Sequence, residues 1–497
     1  MSKSTDAYWA KLAVQAEAEL LLRVPENKIR PRLEPTRRAV ELLGDPQHSY
    51  RVIHVTGTNG KTSTTRFIER ILREMGLRTG RFTSPHLLKI NERLCVNGEA
   101  ISDQVLYELW EDTKPVLEIV DAELAAAGED PLTYFEALAA LGFAVFADAP
   151  VDVLVLEVGM GGAWDSTNVA DGDVAVFTPV GLDHTDRLGN TLEEIAETKS
   201  GIIKPNSIVV SAFQHNSVSA VLKEVAASTA DAWAQLGTEF EILSSEQELY
   251  GQRFSVRGLA GEYRDLYLPL LGEYQVENAA LAIAAVEAFI GGGNQRIMDD
   301  VLRVALADAS SPGRLQVISR EPLIVLDAAH NPQGAQVLAG ALQTSFITNQ
   351  FIGVLAVLGE KDAVGILRAL EPVLTEVVIT KTSSPRAIEI DVLEDLAIEV
   401  FGEHRVRTAH NVSQAMELAK EMLGEGVGQA VIAAGSVSLV ADILALQQTE
   451  DLLLDGDDDW DEDDADGEGN PDSRDLDYED DFEDEAEEAE DEEEDEQ

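Results

Sequence analysis

Apolar runs alternate with stretches of helical periodicity along most of this chain, the pattern of a parallel α/β fold. Residues 50–55 predict a buried strand, and residues 61–75 the helix after it. Residues 151–158, 173–178 and 208–211 predict further buried strands, with a helix over 192–203 between them. Residues 102–147 hold two helical patterns, interrupted over 128–131. Between 239 and 271 the alternation shortens to every second residue, as in Arg253-Phe254-Ser255-Val256-Arg257, which predicts antiparallel strands. Residues 275–290, rich in Ala and Leu, predict a helix. A second αβ series follows, with apolar runs at 323–326, 351–357, 377–380 and 430–434. Ser310-Ser311-Pro312-Gly313 interrupts the chain ahead of it. The expected architecture is an N-terminal parallel-sheet domain over 1–311 and a smaller, Rossmann-like α/β domain over 312–448.

Beyond Gln448 the periodicity stops, and charge changes the picture. From Glu450 to Gln497 thirty Asp and Glu stand against one Arg, a balance of −29 that leaves −26 of the total −55 for residues 1–449. Such a segment cannot bury enough apolar surface to offset its ordering entropy, so 449–497 is expected to be a disordered, solubilising tail. The body offers no basic stripe for a nucleic-acid backbone, so no nucleic-acid partner is expected. No apolar run reaches the roughly 18 residues of a membrane helix, and Met1 to Lys11 lacks a signal core. The single Cys95 cannot form an internal disulfide or a cysteine-based zinc site, which fits a reduced cytoplasm.

The first candidate chemistry lies where the predicted strand at 50–55 meets its helix. In His54-Val55-Thr56-Gly57-Thr58-Asn59-Gly60-Lys61-Thr62-Ser63, glycines let successive backbone N–H groups turn toward phosphate oxygens. The helix N-terminus adds partial positive charge, Lys61 a mobile full one, and the neighbouring hydroxyl can reach a metal shell. Only two residues separate Gly57 from Gly60, whereas the commonest phosphate loop has four there. This compact form resembles the Mur ligase superfamily.

Two further segments end predicted strands at the rim where α/β proteins bind ligands. Glu157, in Glu157-Val158-Gly159-Met160-Gly161-Gly162, suits Mg²⁺, which takes few carboxylates and several phosphate or water oxygens. The alternative is a capping or salt-bridging glutamate. His184, in Gly181-Leu182-Asp183-His184, lies in a polar loop at the same rim, where ligand duty competes with a structural one. Lys199, in Glu197-Thr198-Lys199-Ser200-Gly201-Ile202, reads by itself as a helix-surface lysine.

Together with Thr83-Ser84-Pro85-His86-Leu87, Asn91-Glu92-Arg93, Asp165, Asn168, Pro312-Gly313-Arg314 and Leu326-Asp327-Ala328-Ala329-His330-Asn331-Pro332, these motifs resemble the dihydrofolate synthase and folylpolyglutamate synthase family. The resemblance runs from about Ile29 to Ile443 in the family's order. It implies an ATP- and Mg²⁺-dependent ligase that adds L-glutamate to dihydropteroate or a folate through an acyl phosphate. It also implies a cleft between two domains and a monomeric protein. Carried over residue by residue, it makes Thr58, Asn59, Gly60, Lys61 and Thr62 nucleotide-binding, together with Asn278, Arg314 and Asp327. Ser84, Glu157 and His184 match metal ligands, with Lys61, His184 and Lys199 catalytic and Lys199 carrying a carbamate. Asp165 matches a residue near the pterin ring, and His330 a substrate-binding residue in the cleft.

There are departures from the family pattern. Ala163-Trp164 stands where the family often has Arg after the second glycine, Thr62 where it often has Gly, and the late Gly435-Ser436-Val437-Ser438 motif lacks a common aromatic. Two other readings remain: a cell-wall amino-acid ligase acting on a UDP-sugar peptide, and a nucleotide-dependent scaffold recruiting basic partners through the tail. The Ser84-Pro85-His86 stretch, and the short run of about 50 residues before the loop strand, oppose the first. The intact catalytic motifs oppose the second.

Overall fold

The computed structural model describes residues 3–25, 30–348, 350–423 and 428–457. Its first sheet has eight strands: β1 (Arg51–Thr56), β2 (Thr79–Phe82), β3 (Leu94–Val96), β4 (Glu99–Ala100), β5 (Val153–Glu157), β6 (Val174–Phe177), β7 (Ile208–Ser211) and β8 (Ala232–Gln235). Their order is β4-β3-β2-β5-β1-β6-β7-β8. From β2 to β8 all pairings are parallel, and β3 and β4 add an antiparallel edge. Central β1 is buried over every residue but Arg51, as a parallel strand covered on both faces must be. Val55 pairs with Glu157, which places the end of β5 beside the start of the glycine loop.

The antiparallel expectation for 239–271 holds as a three-stranded sheet of β9 (Glu241–Glu248), β10 (Gly251–Arg257) and β11 (Glu262–Leu268). The helix Glu273–Gly291 follows it. Its alanine-rich sequence allows close approach on all sides, and the twelve consecutive residues 278–289 are buried.

A third, six-stranded sheet is built from β12 (Gln316–Arg320), β13 (Leu323–Leu326), β14 (Gln350–Leu355), β15 (Leu374–Ile379), β16 (Val406–Thr408) and β17 (Gln429–Ala434). Its order is β12-β13-β17-β14-β15-β16, parallel except for the β12–β13 hairpin. Two apolar clusters cover its faces. The tail expected from residue 449 begins inside the last helix, Val437–Asp457. Leu452-Leu453-Leu454 are good helix formers and extend the helix past the point where periodicity weakens. Residues 458–497 lie outside the described residues.

Candidate functional site

The C-terminal ends of the parallel strands in the first and third sheets open onto one cleft of about 1220 Å³. That exceeds the size usual for a single drug-sized ligand, so there is room for more than one substrate at a time. All fourteen residues singled out above line it. Eight Lys or Arg and eight Asp or Glu do so too, in a chain where acids outnumber bases 92 to 37.

The glycine loop is tight because its neighbours leave no alternative. Gly57 has φ +147°, and a Cβ there would lie 1.9 Å from the Thr178 hydroxyl. The Thr58 N–H donates to the Pro179 carbonyl (2.9 Å), and its hydroxyl donates to the Gly181 carbonyl (3.0 Å). Lys61 opens the helix Lys61–Glu74 and folds back, donating to the carbonyls of Gly57 and Thr58, each at 3.2 Å. Burial pushes its ammonium below the ordinary lysine value, against the opposing pull of Glu157 and Asp183.

Lys199 is not a surface lysine. It is 3% exposed and donates to the same Gly57 carbonyl at 2.8 Å. Burial first, then the nearby Lys61, lowers its pKa to about 7. The helix Leu192–Ser200 ends against the Gly162 region, where an added Cβ would meet the Lys199 carbonyl at 2.7 Å. That close packing drives the lysine inward rather than to solvent.

Glu157 is 1% exposed. Its Oε1 accepts from the Thr62 hydroxyl at 2.9 Å, while its Oε2 is buried without a partner. The Ser84 backbone also donates to this carboxylate, and burial raises its pKa. An orphaned carboxylate oxygen in a carboxylate held by the Thr62 hydroxyl and the Ser84 backbone, next to a phosphate loop, is a donor suited to a hard divalent cation. Among the described residues no three His, Cys, Asp or Glu side chains gather as a ready metal site. His184 is engaged instead by Lys361, whose Nζ lies 3.1 Å from its Nε2. Burial and then Lys361 lower the His184 pKa to about 4, leaving a neutral imidazole at neutral pH.

Lys361, missed in the sequence, comes from the loop after β14 and also donates to Asp183 at 2.9 Å. The Asp183 carboxyl is held well below the usual carboxylate range; burial alone would raise it, but Lys361 prevails, aided by His184 and His330. Asp183 also accepts from the Asn331 amide at 3.1 Å. Asn331 in turn exchanges hydrogen bonds with Asn59 of the glycine loop, at 3.1 and 3.4 Å, and Asn59 also donates to Gln333 at 3.1 Å. A Cβ on Gly181 would lie 1.9 Å from Gln333 Oε1, so the two rims meet with no room for a side chain there. Asp183, Asn331 and Lys361 each follow a parallel strand or sit in a motif already quoted. Lys361 sits in the loop after β14, at the same kind of strand-end rim as Glu157.

The other expected residues lie at the periphery. Asn278 faces Gly60 and accepts from the Thr64 hydroxyl at 3.4 Å. Asp327 follows β13 and accepts the backbone N–H groups of Leu315 and Ala329, each at 2.8 Å. Arg314 lines the cleft with its Nη1 donating to the Gly313 carbonyl at 3.2 Å. His330 donates through Nδ1 to the Ala328 carbonyl at 2.9 Å, with Nε2 3.7 Å from Asp183. Asp165 is already occupied: Oδ1 accepts from the Thr167 N–H and hydroxyl, and Oδ2 from the Met160 N–H.

Known proteins resemble this chain over most of its length. Residues 55–286 match the Mur ligase middle domain and residues 313–437 the Mur ligase, glutamate ligase domain. A dihydrofolate synthase/folylpolyglutamate synthase of Mycobacterium tuberculosis is 42% identical over 435 residues, 86% of this chain and 89% of its own length. One from Bacillus subtilis is 34% identical over 416 residues, covering 84% of this chain and 94% of that protein. Among solved structures, a Mycobacterium tuberculosis folylpolyglutamate synthase complexed with ADP superposes with a TM-score of 0.84. It is 40% identical, over 88% of this chain and 98% of that one.

Proposed function

Because the chain belongs to the dihydrofolate synthase/folylpolyglutamate synthase family, we propose that it joins the amino group of L-glutamate to a carboxylate of dihydropteroate or a folate, with hydrolysis of ATP to ADP and phosphate. The observation that carries this reading is the meeting of Lys61 and Lys199 on one carbonyl of the glycine loop, with the Lys361–Asp183–His184 group in the same cleft.

A carboxylate oxygen is a poor leaving group and phosphate a good one. In the first step a substrate carboxylate oxygen attacks the γ-phosphorus, and the bond from phosphorus to the bridging oxygen of ADP breaks. In the second, the lone pair of the glutamate amine attacks the acyl carbon, and the C–O bond to phosphate breaks as the amine loses its proton. This chain aligns the partners and offsets their negative charge. Lys61 can leave the two loop carbonyls for phosphate oxygens, with the loop N–H groups and helix N-terminus behind it. Thr58, Asn59, Gly60 and Thr62 complete the nucleotide grip, and Asn278, Arg314 and Asp327 meet the nucleotide from the helix and the second lobe. Lys361 and His330 stand where a carboxylate of incoming glutamate would be screened.

Glu157 and Ser84 would hold Mg²⁺, which when bound withdraws charge from the phosphates; His184 would join them only after release from Lys361. We read Lys199 as carrying a carbamate. Its enclosed amine, lowered to about 7, is substantially neutral at working pH, as reaction with CO₂ requires. Asp165 serves the substrate by shaping the loop around it. We read the protein as a monomer, and among the described residues no helix is long and apolar enough to cross a membrane. We place its action in the cytoplasm and the boundary between its domains at Pro312.

The test is ADP release by purified protein. It should require Mg²⁺, a pteroate or folate, and glutamate together. Turnover with UDP-sugar peptides and none with pteroates would replace this reading with a cell-wall ligase.

A further inference from the structure

One buried titratable group takes no part in that chemistry. His54 lies on β1, three residues before the glycine loop, and is fully buried. Its Nε2 is 2.9 Å from the Thr167 hydroxyl, which lies 2.5 Å from Asp165 Oδ1. Both Asp165 oxygens already accept backbone N–H groups, so the carboxylate is the acceptor and the single hydroxyl proton points to it. His54 must therefore donate through Nε2. Its Nδ1 is then a bare acceptor, and it is buried with no partner.

For packing alone, a side chain that leaves a polar atom stranded is a poor choice. What the histidine supplies is one N–H aimed at Thr167. Two residues on, the side chain of Thr56 projects from the same face of the strand and donates to the Gly161 carbonyl at 2.8 Å. The strand that feeds the phosphate loop thus ties down the segment after Glu157 at two points. That segment presents Met160, Trp164 and Asp165 to the cleft.

We propose that His54 is a positioning residue for the pteroate half of the reaction, acting through Thr167 and Asp165 to hold the Met160–Asp165 wall of the cleft. It rests on the functional reading above. Without the N–H, the Thr167 hydroxyl loses its anchor, Asp165 loosens, and the wall shifts, while the nucleotide grip of Lys61 and its loop is untouched.

The test is calorimetric titration of the full chain with ADP alone, and with dihydropteroate in the presence of ADP. The variants are His54→Leu, His54→Gln, Thr167→Val and the Leu/Val double substitution. Loss of one such hydrogen bond should weaken dihydropteroate about tenfold in His54→Leu and in Thr167→Val, with ADP affinity changed less than about twofold. His54→Gln, which keeps an N–H, should recover most of the loss, and the double variant should be no worse than the weaker single. Unchanged dihydropteroate binding in the variants, or equal weakening of both ligands, overturns the proposal while leaving the functional reading intact. A wild-type protein that binds ADP but neither dihydropteroate nor a reduced folate overturns both. Should His54→Leu fail to fold, Thr167→Val and His54→Gln decide the matter alone.

Discussion

Replacing Asp183 by Asn takes one charge out of a pair whose side chains are 11% and 7% exposed. Lys361 keeps acceptors in the Asn amide oxygen and in His184 Nε2, at 3.1 Å, but loses its opposite charge. Breaking a buried pair from one side costs about 3–5 kcal/mol, because the surviving charge stays desolvated. The two remaining neutral acceptors argue for the lower end, about 3 kcal/mol. Removing Lys361 as well, as Met, eliminates the stranded charge, so the double variant should lose far less than the sum, with a coupling of about 2–3 kcal/mol. The pH dependence follows from the same pair. A carboxyl held below its unfolded value contributes stability that is fully present above about pH 3.9 and is lost as pH falls through its folded pKa. That acid limb should be absent from Asp183→Asn. Urea unfolding at neutral pH, with unchanged m, measures all four corners of the cycle. Additive losses, or a single-variant cost below about 1 kcal/mol as for an exposed ion pair, would refute the claim that this pair is effectively desolvated.

Other outcomes follow from the same site. Lys61→Ala and Glu157→Ala should each lower kcat/KM at least about a thousandfold with far-UV circular dichroism unchanged, the first by removing a cation at the reacting phosphates and the second by removing a ligand of the Mg²⁺ that would screen them. Glu157→Gln should at the same time stabilise the protein at neutral pH by about 1 kcal/mol in urea unfolding. Its carboxyl titrates above the unfolded value, so the native state is favoured at low pH and loses that advantage as pH rises through the folded pKa. Turnover should rise from pH 6 to 8 with the neutral fraction of Lys199 and fall in CO₂-depleted buffer. Lys199→Ala should be inactive and partly restored by a small added carboxylate; a CO₂-independent rate would exclude the carbamate. His54, buried and lowered to about 3, should make stability fall as pH drops from about 6.5 toward 3, by up to about 1.4 kcal/mol per unit, and His54→Gln should flatten that slope.

What could be read in the sequence was whatever depends on local pattern. β5 and β6 are apolar runs, β1 is one broken at His54, and the residues that end them, such as Glu157, fall at the ligand rim by topology alone. β2, Thr79-Gly80-Arg81-Phe82, has no such signal, because its polar side chains are satisfied from elsewhere. The Thr79 hydroxyl donates to Glu69 at 2.6 Å, and Arg81 lies 3.4 Å from the same carboxylate. The N-terminal helix Lys3–Leu21 buries Ala13, Ala16 and Leu20, a stripe too small to stand out against its polar neighbours. At the site, motifs located every expected residue but not their partners. Lys199 read as exposed because helical position says nothing of what packs over it. Lys361 and Asp183 are 178 residues apart, and no local pattern reports on a contact of that span.

The even balance of bases and acids lining the cleft has a consequence outside it. The rest of the molecule is strongly anionic, and a folate gains one negative charge with each glutamate added. Inside the cleft the growing product meets as many lining bases as acids, but any part that emerges faces a repulsive exterior. The length at which another round of addition ceases to be favourable is therefore set partly by electrostatics beyond the active site. Repulsion between exposed charges is screened within about 10 Å at 0.1 M salt, so raising ionic strength should lengthen the product distribution without altering a single contact to the reacting groups.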